Sequence, residues 1–276
     1  MDIIIFSGQS NMQGETDVLS STKRINGALE YRYLTDTAVP LCNPVGENIT
    51  YNGLEGYTFT FEIDSQKWLE THALGASCFG YTNLVPSFCD AYCKKTRREV
   101  LAVHAAKGST AIESWMPGRP QYQMLIAKAF SAIRYAETHG GVGQIFFVWL
   151  QGESDAIMSN TKQYYKDSII RLYDALSDTL QITKFGIIRV GHFCGDERDL
   201  EIIGAQDEVC YEHTGFLMLT TLTEQLSTIS DCMHPHIKGH FSAKGLEILG
   251  TAAGEALANE INYKYEGEYH HVQQNY

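Results

Sequence analysis

The chain has 276 residues, 44% of them hydrophobic and 20% charged, with a formal net charge of −12. That length and apolar share support a substantial core and set aside the weakly hydrophobic composition of disordered chains. The acidic balance, with no tract rich in Lys and Arg, argues against non-specific binding to nucleic acid or to anionic membranes.

The opening Met1-Asp2-Ile3-Ile4-Ile5 has no basic stretch and only a short apolar run, too short for a signal peptide or a membrane span. The expectation is a cytoplasmic protein, or a secreted one if a leader has been removed. Seven cysteines, at 42, 78, 89, 93, 194, 210 and 232, contain no CxxC pair. Thiols scattered in this way fit a reducing compartment better than a disulfide framework.

Residues 3–6 read as a buried strand, apolar throughout and β-branched in three of four positions. A polar turn, Ser7-Gly8-Gln9-Ser10-Asn11-Met12, follows at once. Residues 20–80 carry many Gly, Asn, Thr and Tyr with short strand-like stretches, and read as a loop-rich insertion near the site. The pattern then alternates. Helices are expected near 84–95, 121–139, 161–180, 199–210 and 242–259, and strands at 100–106, 144–150, 184–190 and 216–219. Such alternation implies right-handed crossovers and a parallel sheet covered on both faces. The expected organisation is one domain over 1–262, followed by a polar tail, 263–276.

Ligands of open parallel sheets bind at the carboxyl ends of strands, and the loops placed there are unusual. Besides the first turn they are Lys107-Gly108-Ser109-Thr110-Ala111-Ile112-Glu113-Ser114-Trp115 and Gln151-Gly152-Glu153-Ser154-Asp155. Asp231-Cys232-Met233-His234-Pro235 lies just before the last helix. Together these segments hold a hydroxyl, an imidazole, a carboxylate three residues before it, and clustered hydrogen-bond donors, which are the parts of an acyl-transfer site. A serine hydroxyl needs a base to take its proton, and a neutral His serves near pH 7. There is no GxSxG, so the α/β-hydrolase elbow is not the device that presents this serine.

The motifs GQSNM after the first strand, WLQGESD after the third and a late DxxH resemble the sialate O-acetylesterase and acetylxylan-esterase branch of the SGNH (GDSL-like) hydrolases, over about residues 3–258. The resemblance implies a three-layer α/β/α fold and hydrolysis of acetyl esters on carbohydrates, with no metal and no other cofactor. It makes Ser10 the nucleophile, His234 the general base and acid, and Asp231 the residue that orients the imidazole. Gln151 and the Ser10 backbone N–H are then the oxyanion donors, with Gly80 standing in for a family glycine. Gln9, Asn11, Lys107, Gly108, Ser109 and Glu153 are expected around them, Glu153 as a group that holds loops together.

Blander readings exist for the same residues. Ser10 fits a helix N-cap, and His234, His236 and His240 make a His-x-His pattern of the kind zinc sites use. Trp115, Tyr57 and Tyr81 suit sugar stacking but equally a core. The alternatives to an esterase are a carbohydrate-binding protein with its catalysis lost, or a lipase or thioesterase of the same superfamily.

Overall fold

The computed structural model describes residues 1–46, apart from 17 and 19, and residues 82–273, with side chains described to 262. The expected positions of Gly80, Tyr57 and Tyr81 lie outside the described residues.

Seven strands form a single sheet in the order β3-β2-β4-β1-β5-β6-β7. They are β1 (Asp2–Gly8), β2 (Ala28–Arg32), β3 (Thr37–Pro40), β4 (Val100–Ala106), β5 (Ile145–Leu150), β6 (Lys184–Ile188) and β7 (Phe216–Thr220). All pairings are parallel except β2 with β3, an antiparallel hairpin at one edge. The expected α/β/α sandwich is therefore present. Residues 28–40, within the loop-rich insertion expected at 20–80, form that hairpin and extend the sheet. β2 is largely buried but interrupted by Glu30 and Arg32, and β3 is short and partly exposed, so neither carries a continuous apolar run to announce it.

The central strands read clearly because both of their faces are covered. Ile3, Ile4, Ile5 and Phe6 are fully buried, as a parallel strand between two helical layers requires. One layer consists of α2 (Val85–Thr96) and α8 (Ala243–Gln273); the other holds α3 (Pro120–Thr138), α5 (Lys162–Leu180) and α6 (Glu197–Glu212). Three shorter helices, α1 (Ser10–Gln13), α4 (Glu153–Ile157) and α7 (Leu222–Leu226), follow β1, β5 and β7. Alternation along the strands assigns aromatic rings to opposite layers. Phe6 meets Phe88 of α2 edge-on at 5.0 Å, and Phe146 meets Tyr92 of the same helix. On the other face Trp149 packs against Trp115 at 5.5 Å and donates a hydrogen bond to Tyr165 of α5. The last helix does not stop where a tail was expected: α8 continues to Gln273.

Register fixes where the chemistry sits. Gly8 lies opposite Ala106 on one side and Leu150 on the other. The loops after β1, β4 and β5 therefore leave the sheet at one level, side by side. From β1 the chain builds outward in both directions, so this rim is a topological switch point of the kind that holds ligands in open parallel sheets.

Candidate active site

Ser10 opens α1 directly after β1, and its hydroxyl lies 2.8 Å from His240 Nε2. The other ring nitrogen, Nδ1, is 3.1 Å from the Lys238 carbonyl. A carbonyl can only accept, so Nδ1 carries the proton of the neutral ring and the Nε2 lone pair faces the serine. Burial holds His240 below the ordinary imidazole range, His234 nearby adds to the effect, and the Lys238 carbonyl opposes it. The ring is thus a neutral base with its lone pair on a serine hydroxyl.

The sequence reading paired Ser10 with His234, and here the structure corrects it. Residues 232–242 form a closed loop: Met233 bridges Phe241, the His234 N–H donates to the His240 carbonyl at 2.7 Å, and the Ser242 N–H donates to the Cys232 carbonyl at 2.9 Å. The two histidines stand on opposite legs. The His234 ring turns inward, its Nδ1 accepting from the backbone N–H groups of His236 at 3.0 Å and Ile237 at 2.9 Å. That nitrogen therefore has no proton to offer Asp231. The Asp231 side chain is 77% exposed, its carboxylate 3.6 Å from Lys244 Nζ. A DxxH spacing puts both residues in one loop but does not decide which imidazole reaches the serine. The signal for His240 is its place, two residues before Ser242, whose hydroxyl accepts from the Gly245 N–H in the first turn of α8.

Asn11 fastens this loop to the turn that carries Ser10. Its Oδ1 accepts from the Phe241 N–H at 3.1 Å, and its Nδ2 donates to the Gly239 carbonyl at 3.2 Å. The residues on either side of His240 are held by the residue after Ser10. The same Nδ2 donates to Glu153 Oε1 at 2.8 Å. Glu153 is buried, and burial raises its pKa above the ordinary carboxyl value despite the Asn11 bond. Its bond to Asn11 links the loops after β1 and β5. His104 on β4 steadies α1 from below. Its Nε2 lies 3.2 Å from the Met12 carbonyl. Burial, with Lys128 adding to it, lowers its pKa to about 4.

Gln151 does not face the serine as a waiting donor. It is fully buried. Its Nε2 lies 2.6 Å from Asp155 Oδ2, 2.9 Å from the Thr110 carbonyl and 3.2 Å from Gln9 Oε1. Two amide hydrogens already serve three acceptors, so none remains for an oxyanion. Gln9 Oε1 also accepts from the Ser154 N–H at 3.1 Å. Asp155 further accepts from the Ile112 N–H at 2.9 Å and from Asn160. This network binds the three loops to one another. The Ser10 N–H lies in the first turn of α1, where backbone amides have no intrahelical acceptor.

The loop after β4 closes the site on the other side. The Gly108 N–H donates to Gln13 Oε1 at 2.6 Å. A side chain at 108 would meet Glu15 Oε1 at 2.7 Å, so glycine there is what admits that carboxylate. Lys107 donates its backbone N–H to the Gly8 carbonyl at 2.9 Å and is a charged neighbour of Glu15. Ser109 is exposed, with a left-handed φ of 60°. Trp115 is buried, with its Nε1 bonded to Thr110 Oγ1, so its ring belongs to the core. Glu15 and Gln13 were missed in the sequence because they lie just beyond the motif.

Among the described residues, no group of three His, Cys, Asp or Glu side chains is arranged to hold a metal ion. None of their helices is long and apolar enough to cross a membrane.

The sheet, its two helical layers and the serine-bearing rim define a three-layer α/β/α protein. A protein of Arabidopsis thaliana shares the fold, with a TM-score of 0.62 at 18% identity, over 92% of this chain and 96% of that one. NanS does so with a TM-score of 0.64 at 11% identity, over 96% and 97%. No curated protein sequence matches significantly. The family is settled by its own model: residues 1–259 match SASA, described as carbohydrate esterase, sialic acid-specific acetylesterase. The chain belongs to that family of acetylesterases.

Proposed function

We propose that the protein removes O-acetyl groups from carbohydrates through an acetyl-enzyme on Ser10, with His240 as the general base and acid. The Ser10 proton passes to His240 Nε2 as Oγ bonds to the acetyl carbon, and negative charge builds on the carbonyl oxygen beside the Ser10 N–H. Collapse of this intermediate breaks the ester C–O bond, and the departing sugar oxygen takes the proton from Nε2. Water then attacks the acetyl-serine, giving its proton to Nε2. The second collapse frees acetic acid, which ionises to acetate in water, and returns the proton to Oγ. Each half needs one proton accepted and one returned, which one imidazole with its lone pair at the serine performs.

The observation that carries the reading is the 2.8 Å contact of Ser10 Oγ with an Nε2 whose tautomer is fixed by the Lys238 carbonyl. Membership of an acetylesterase family supports acetyl as the transferred group. The test is turnover of p-nitrophenyl acetate by wild type and Ser10→Ala, where the variant should lose on the order of 10⁴-fold or more in kcat. Undiminished activity would end the assignment. Acetate release from O-acetylated sialic acids, xylooligosaccharides and acetylated glucosamine derivatives then identifies the sugar.

A further inference from the structure

We infer that Glu15 is the charge partner of His240: its carboxylate, set against Nε2 and not Nδ1, stabilises the imidazolium formed whenever Ser10 or water gives up a proton. The inference rests on His240 being the base of acetyl transfer.

Three observations carry it. Glu15 Oε2 lies 3.3 Å from His240 Nε2, with both side chains largely buried at 12% and 10% exposure. The chain is built to bring it there. Gly14 adopts a left-handed turn, φ 91°, after α1, and the Glu15 N–H reaches back to the Ser10 carbonyl at 3.3 Å. Gly108 leaves the space that Oε1 occupies. Finally, the position that a serine–histidine–acid arrangement reserves for a carboxylate, Nδ1, is filled here by a neutral backbone carbonyl, and Asp231 is turned to solvent. A positive charge forming on His240 therefore has Glu15 as its near anionic neighbour.

The arrangement has a consequence for pH. Lys107 on the loop after β4 acts on Glu15, and His234 within the last loop acts on His240. Burial raises Glu15 to about 7, with Lys107 opposing the rise. As pH falls through about 7 the pair takes up a proton, Nε2 loses either its lone pair or its anionic neighbour, and the rate declines. Two groups this close titrate as a unit, so the midpoint belongs to the pair.

The experiment compares pH profiles of kcat/KM on an acetyl ester for wild type, Glu15→Gln and Glu15→Asp, beside ¹⁵N NMR titration of the His240 ring. Glu15→Gln should lower kcat/KM roughly tenfold in alkaline buffer, about the effect of one pKa unit in base strength. Its acid limb and its His240 midpoint should both move to lower pH, whereas Glu15→Asp keeps them near the wild-type position. A Glu15→Gln enzyme with an unchanged limb and midpoint would overturn the proposal. If that variant fails to fold, the wild-type ring signals decide: two coupled steps support the pair, and a single independent step contradicts it. An inactive wild type whose ring still shows the coupling would refute the esterase reading and leave the Glu15–His240 pairing standing.

Discussion

Two polar clusters adjoin at the rim of the sheet and follow opposite plans. In one, Gln151 serves Asp155, Thr110 and Gln9, while its own Oε1 and carbonyl accept from Tyr165 and the carbonyl also from Gln206. Every group there has partners, and burial raises the pKa of Asp155 without freeing it. In the other, Ser10, His240 and Glu15 share few bonds around a single ring nitrogen. The first cluster is rigid because a buried, satisfied network has no competing arrangement. In the proposed mechanism the second is the reactive one, because its protons have more than one place to go. Polar residues of the same motif can thus divide between scaffold and chemistry, and hydrogen-bond saturation tells them apart. Gln9 and Asn11 flank Ser10 in sequence, yet both belong to the scaffold.

The sharpest challenge to this division outside the reacting atoms is Asn11→Ala. It removes the clamp on both sides of His240 and strips Glu153 of a donor, so kcat should fall about 10²-fold, as expected when a catalytic group is misplaced by about an ångström. An unchanged kcat would show that the loop holds His240 without help. Asp155→Ala addresses the scaffold. It leaves the Ile112 N–H and the amides of Gln151 and Asn160 short of an acceptor, and should cost roughly 3 kcal/mol, with Tm lower by about 6–12 °C. Its effect on kcat should be secondary to that loss when both are measured below the transition. Smallest is Asp231→Asn. With the side chain in solvent, stability should change by no more than about 0.5 kcal/mol and turnover should stay close to wild type.

Strands buried on both faces, and the helices between them, were legible because burial demands continuous apolar runs and 3.6-residue periodicity. The exact β2–β3 hairpin was not, since β2 buries the polar Glu30 and the edge strand β3 is partly in water, so neither shows a continuous apolar run. Ser10 was legible because its loop follows an unmistakable strand. His240 was not: three histidines share seven residues, and the choice among them is made by Asn11, more than 220 positions away in the chain. Gln151 was found as a rim residue but not in its role, because its acceptors come from three separate loops.

The central claim is that His240 and not His234 activates Ser10. Intact-protein mass spectrometry after mixing with p-nitrophenyl acetate, on wild type, His240→Ala and His234→Ala, tests it most directly, with peptide mapping to locate the acetyl group. The account predicts acetylation of Ser10 in wild type and in folded His234→Ala, and none on the same timescale in His240→Ala. Rapid acetylation of His240→Ala, beside a folded but unreactive His234→Ala, would contradict it.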